Sequence, residues 1–129
     1  TLEGKNILMP RGQLARPFLP DALRERGAQV SECIVYETVP LDISSERVET
    51  LIAIGPAIVT FTSSSTAEFF CKALSPNQKK RLLEQNTFGA IGPVTAQTLK
   101  DLEVPVEIEA TEHDISGFID AICEFVNKK

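Results

Sequence analysis

Short apolar runs rich in β-branched residues recur along the chain, and each is followed by a stretch whose apolar positions return every three or four residues. Residues 5–9 (KNILM) are the first run, a strand that breaks at the turn signal Pro10-Arg11-Gly12. A helix follows from near Arg16, because Pro17 and Pro20 suit a first turn and would break an interior one; Gly27, a good left-handed cap, ends it. Residues 30–36 (VSECIVY) alternate enough to leave one face of a second strand less buried. Residues 38–42 (TVPLD) are the best linker candidate. Ser44 or Ser45 then caps a helix carrying Val48, Leu51 and Ile52, closed by Gly55-Pro56.

The run around which the chain is organised comes next. Residues 57–61 (AIVTF) are almost wholly apolar, as in a central strand buried on both faces of a parallel sheet, and they break into five consecutive hydroxyl residues at 62–66. Ser64 or Ser65 is expected to cap the next helix, whose apolar side carries Ala67, Phe70 and Leu74. Ser75 and Gln78 have capping-box spacing and start a short helix through Leu83. Residues 87–92 (TFGAIG) form another strand, with Pro93 opening a helix that runs to about Leu102. Residues 104–108 are interrupted by Pro105, which suits an edge strand. Asp114 caps a last helix, in which Ile115, Phe118, Ile119, Ile122 and Val126 keep a helical period. Five strands alternating with five or six helices predict one α/β unit over residues 1–129: a three-layer, mainly parallel, five-stranded flavodoxin-like sheet.

Composition narrows the function classes. The chain has 129 residues, 43% of them hydrophobic and 24% charged, enough for a globular core. No run approaches the length of a membrane span, so no membrane is expected as partner. A first residue other than Met, Thr1, suggests a processed product or a piece of a longer chain. Cys33, Cys71 and Cys123 are widely spaced in apolar contexts and are expected as buried free thiols in a reducing, cytoplasmic compartment. The formal charge of −5, with no basic cluster beyond Lys79-Lys80-Arg81, argues against a nucleic acid partner. Glycine-rich nucleotide loops and metal-ligand spacings are missing, so neither cofactor nor metal is expected. The single histidine, His113, stands beside the cap residue Asp114 and reads as an exposed structural residue.

What remains for chemistry is hydroxyls, backbone amides, Tyr36 and Arg11. At the carboxyl ends of strands in an open α/β sheet, helix starts present unpaired amides that suit an anion. Two such junctions stand out, at 62–66 and at 92–95, and Gly12 marks a third. The alternative reading is that their serines and threonines only cap and turn.

Taken together, GKNILMPRG at 4–12, VYETV at 35–39, FTSSS at 61–65 and AIGPVTA at 90–96 resemble, in order and spacing, the uroporphyrinogen-III synthase family, over essentially the whole chain. The chain is similar to the carboxyl-terminal half of that enzyme. The resemblance implies closure of linear hydroxymethylbilane to uroporphyrinogen III, with loss of water and inversion of the last pyrrole ring, without cofactor or metal. It also implies two α/β lobes joined by two strand-like linkers with the substrate in the cleft between. Residues 1–38 would belong to one lobe, 39–42 to a linker and 43–129 to the other. By the same resemblance Tyr36 falls on a cleft tyrosine able to assist departure of the substrate hydroxyl, with a tyrosine merely closing a strand end as the alternative. Ser63 and Thr95 fall on binding hydroxyls, and Arg11, Gly12, Thr62, Ser64 and Gly92 complete the expected binding set, with Arg16 a further cation; the alternative for both arginines is a solvated surface residue. Val94 departs from the pattern where many relatives carry a second hydroxyl. The shortfall in length implies a missing amino-terminal half, or a swapped second copy, as partner. Two rival expectations are an anion-binding α/β module without chemistry and an inactive half of a fused tetrapyrrole enzyme.

Overall fold

The computed structural model describes residues 1–128. Their order is β1 (Asn6–Gly12), α1 (Phe18–Glu25), β2 (Gln29–Tyr36), α2 (Ser45–Ala53), β3 (Ile58–Phe61), α3 (Ser64–Lys72), α4 (Pro76–Gln85), β4 (Thr87–Ala90), α5 (Pro93–Asp101), β5 (Ile108–Glu109) and α6 (Ile115–Asn127). All strand pairs are parallel, as the alternation of strands and helices implied. The five-stranded flavodoxin-like sheet is not formed. β1 and β2 make a two-stranded sheet, and β3, β4 and β5 make a separate one in that order. The chain correspondingly divides into two compact units, Thr1–Pro40 and Leu41–Lys129. The reason is that strand count constrains strand type but not partners, and residues 37–44, with Pro40 lacking a donor, carry no ladder.

In the first unit, β1 runs on through Pro10, which sits opposite Cys33, and ends in a register shift that brings Gly12 opposite Tyr36. The helix begins two residues later than expected, with Pro17 at its N-cap, and Gly27 follows it with φ +89. Glu32 accepts from Arg24 of α1 at 2.7 Å and from Arg11 of β1, so one face of the sheet is tied to the helix. The other face carries Leu8 and Val35, 69% and 59% exposed. Among the described residues, the buried apolar side chains of this unit are Pro20 and Ala28.

The second unit holds the hydrophobic core. Phe61, Ala67, Phe88, Ala90, Ala96, Leu99 and Val104 pack between the sheet and α3 and α5, while Val48, Ile52 and Leu82 join α2 to α4. Phe118 of α6 packs on Ile108 and Ala110. The expected central strand is corrected here: β4 is central and β3 lies at one edge. β5 is shorter than expected because Pro105 lacks a donor and the Phe88 amide donates to the Glu107 carboxylate, at 2.8 Å, instead of a strand carbonyl. Ser44, Ser75 with Gln78, and Asp114 cap their helices as predicted. The cysteines are free, but Cys33 and Cys123 are exposed and Cys71 half-buried, because β2 and α6 each turn one apolar side outward. Burial pushes the Cys71 thiol pKa up.

Candidate functional site

Because β3, β4 and β5 are parallel, their carboxyl ends lie along one edge of the sheet, and the loops to α3, α5 and α6 leave from there. The Ile91 amide donates to the Phe61 carbonyl at 3.0 Å and the Ala110 amide to the Ala90 carbonyl at 3.2 Å, which extends the ladder into these loops. Two of the predicted site clusters therefore stand side by side in the second unit.

At the start of α3 the N-cap is Ser63, one residue earlier than expected, because β3 stops at Phe61 and Ser63 is extended. Ser63 Oγ accepts from the Thr66 amide at 3.2 Å and lies 2.7 Å from Thr66 Oγ1. Its hydroxyl is therefore committed to the helix, whereas Thr62 is exposed. Ser64 Oγ accepts from Thr98 Oγ1 at 2.8 Å, which joins α3 to α5.

The start of α5 is open. Gly92 is its N-cap without a side-chain bond, and Pro93 has no amide proton. The first intrahelical bond is Ala96 N–H to the Gly92 carbonyl, 3.0 Å, so the amides of Val94 and Thr95 have no acceptor within the helix. Thr95 is 5% exposed. Its hydroxyl has no partner among the described residues, and no fully enclosed side-chain oxygen there is left unsatisfied, so the hydroxyl is the part that reaches the surface. Its Cα–Cβ bond tilts toward the helix start. Two amides, a hydroxyl and the positive end of the helix dipole thus favour an anion here. His113, at the end of the loop after β5, lies over Gly92. Nothing in the sequence places His113 against this glycine.

The first unit holds the other predicted residues. Gly12 is buried beneath the Tyr36 ring: a Cβ at Gly12 would lie 2.5 Å from Cζ and 2.8 Å from Oη. Tyr36 is 62% exposed, its carbonyl accepts from the Gln13 amide at 3.0 Å, and its phenol has no partner among the described residues. Arg11 is engaged by the Glu32 carboxylate and the Ala15 carbonyl, so it braces β1 against β2 and the following turn. Arg16 is exposed. Hydrogen bonds from Arg24 first, and Arg11 second, hold the Glu32 carboxyl below its usual pKa.

A hollow of about 520 Å³ between β5 and α6 contains none of these residues. Glu107, Glu109, Glu112, Asp120 and Glu124 line it against Lys128, a balance that repels carboxylates. Among the described residues no group of three His, Cys, Asp or Glu could hold a metal ion, and no helix is long and apolar enough to cross a membrane.

The family model described as uroporphyrinogen-III synthase HemD matches residues 1–120. The uroporphyrinogen-III synthase of Synechococcus elongatus is 31% identical over 124 residues, covering 92% of this chain and 47% of its own length. The putative uroporphyrinogen-III synthase of Methanothermobacter thermautotrophicus is 33% identical over 106 residues, covering 78% of this chain and 42% of its own length. The crystal structure of uroporphyrinogen-III synthetase from Helicobacter pylori superposes with a TM-score of 0.77 at 23% identity, over 96% of this chain and 55% of that one. A mutant synthase from Thermus thermophilus gives 0.60 at 18% identity, over 98% and 52%. The chain spans about half the length of the curated relatives it matches. With the fold, the order of motifs and the family match in agreement, the chain belongs to the uroporphyrinogen-III synthase family.

Proposed function

We propose that this chain supplies half of a uroporphyrinogen-III synthase, which closes hydroxymethylbilane to uroporphyrinogen III with loss of water and inversion of the last pyrrole ring, in a cytoplasmic pathway. The observation that carries the reading is the open start of α5, where the free amides of Val94 and Thr95 and the Thr95 hydroxyl suit a carboxylate of a polyanionic tetrapyrrole. Net charge gives no attraction at −5, so local dipoles must supply it. Thr62 and Ser64 beside α3, and Gly92 beneath α5, extend the same binding edge. Ser63 holds it by capping α3. Tyr36, exposed and without a partner for its phenol, is the proton or hydrogen-bond donor to the departing hydroxyl. Gly12 provides the space its ring needs, and Arg11 fixes the strand end beneath it. Most of the rate enhancement then comes from holding the reacting ends together.

Residues 1–38 and 43–129 belong to different lobes of the assembled enzyme, with 39–42 as a linker. The first unit supports this: a two-stranded sheet with one covered face is marginal alone, and Leu8, Val35 and Ile34 stand exposed for strands and a helix from the missing half. The test is turnover of freshly generated hydroxymethylbilane, with type III separated from type I product, by this chain with and without the missing half. Type III product above the spontaneous background is expected when both halves are present. Tyr36→Phe is expected to lower that rate by about 10²-fold. Type I product alone from the assembled halves would overturn the reading.

A further inference from the structure

Gly92 opens α5 without a side chain, and the ring of His113 takes the space a side chain would need. A Cβ at Gly92 would meet Cγ and Cδ2 of His113 at 3.1 Å and its Cβ at 3.3 Å, closer than ordinary contact. Gly92 is buried and His113 exposed, so the imidazole covers the glycine on one side and meets solvent on the other. Neither ring nitrogen has a partner among the described residues. The neighbouring Asp114 carboxylate does not compete for the ring, because it accepts from the Gly117 amide at 2.7 Å as the cap of α6. In either protonation state an imidazole keeps at least one N–H. The amides of Val94 and Thr95, the unpartnered Thr95 hydroxyl and the imidazole over Gly92 thus all lie at the start of α5.

We propose that His113 is a further substrate-contacting residue, whose imidazole closes the anion site at the start of α5 and donates to the same substrate carboxylate as the Val94 and Thr95 amides. The assignment rests on the tetrapyrrole reading above. It explains why a glycine stands at an N-cap where serine or aspartate would stabilise the helix more: any side chain there would push the imidazole off the opening.

His113 is the one histidine in the sequence, so its imidazole proton resonance is identified without further assignment. The chain is titrated with a monopyrrole bearing one acetate and one propionate, while the His113 resonance and the Val94 and Thr95 amides are followed by NMR. All three are expected to move along one saturation curve. His113→Ala should weaken binding about tenfold and Gly92→Ala comparably, while His113→Gln, which keeps an N–H donor, recovers most of the loss. If the amides move while the imidazole does not, or if His113→Ala binds as tightly, the anion site stands and the role of His113 is overturned. If neither amides nor imidazole respond, the site itself fails and the proposal with it.

Discussion

Gly12→Ala separates the position of Tyr36 from the stability of the fold. A methyl group at residue 12 would sit 2.5 Å from Cζ, 2.6 Å from Cε2 and 2.8 Å from Oη of Tyr36. Carbon atoms settle near 3.5 Å, so the ring must retreat by about 1 Å. Gly12 is not among the residues with positive φ, so the backbone accepts alanine without strain. Tyr36 is 62% exposed and its ring is the end of a side chain free to rotate outward. The cost is therefore that of a rotamer change, about 1 kcal/mol. For a positioned donor the same 1 Å displacement costs up to about 10²-fold in rate. The chain has one tyrosine and no tryptophan, so phenol fluorescence reports Tyr36 alone. Acrylamide quenching should increase in the variant, while the unfolding free energy from urea titration followed by circular dichroism falls by no more than about 1 kcal/mol. Unchanged quenching, or a loss of several kcal/mol, would refute the reasoning, because the clash would then be absent or absorbed by the backbone.

Other outcomes follow from the same geometry. Phe88 is 1% exposed at the centre of the main core, so Phe88→Ala should cost about 3–5 kcal/mol in urea unfolding. Glu103 adopts φ 58 directly after α5, a left-handed conformation that penalises a side chain; Glu103→Gly should stabilise the second unit by about 1 kcal/mol, read as a higher melting temperature. Glu32 has its folded-state pKa lowered by Arg24 and then Arg11, so its contribution is present above the ordinary glutamate value near 4.3 and is lost as pH falls through the folded value. Acid titration of the first unit should show this loss, and Glu32→Gln should flatten it.

Local features were the most legible in the sequence. Ser75 with Gln78, Pro93 and Asp114 each act within one turn, where the neighbours that decide the outcome are adjacent in the chain. Partners distant in sequence were not. Nothing in residues 57–61 tells a central strand from an edge one, because the apolar run is the same whether a strand or a helix covers it. Nor does strand count reveal that β2 stops pairing after β1. The cysteines misled because apolar neighbours on one side of β2 and α6 do not imply burial on the other. Of the site, the helix starts could be read from hydroxyls and the Gly-Pro step. The engagement of Arg11 by Glu32 could not, since it depends on parallel strands meeting. His113 could have been found only by asking what occupies the missing side chain of Gly92.

The two edges of the three-stranded sheet differ in what they invite. β5 offers two residues, preceded by Pro105, and one of them is the exposed Glu109, so an incoming chain finds a short, broken ladder and negative charge. β3 presents four residues carrying Ile58, Val59 and Phe61. Any growth of this sheet would therefore be polarised: a further strand would join at β3, while the β5 side is a terminus that resists edge-to-edge aggregation.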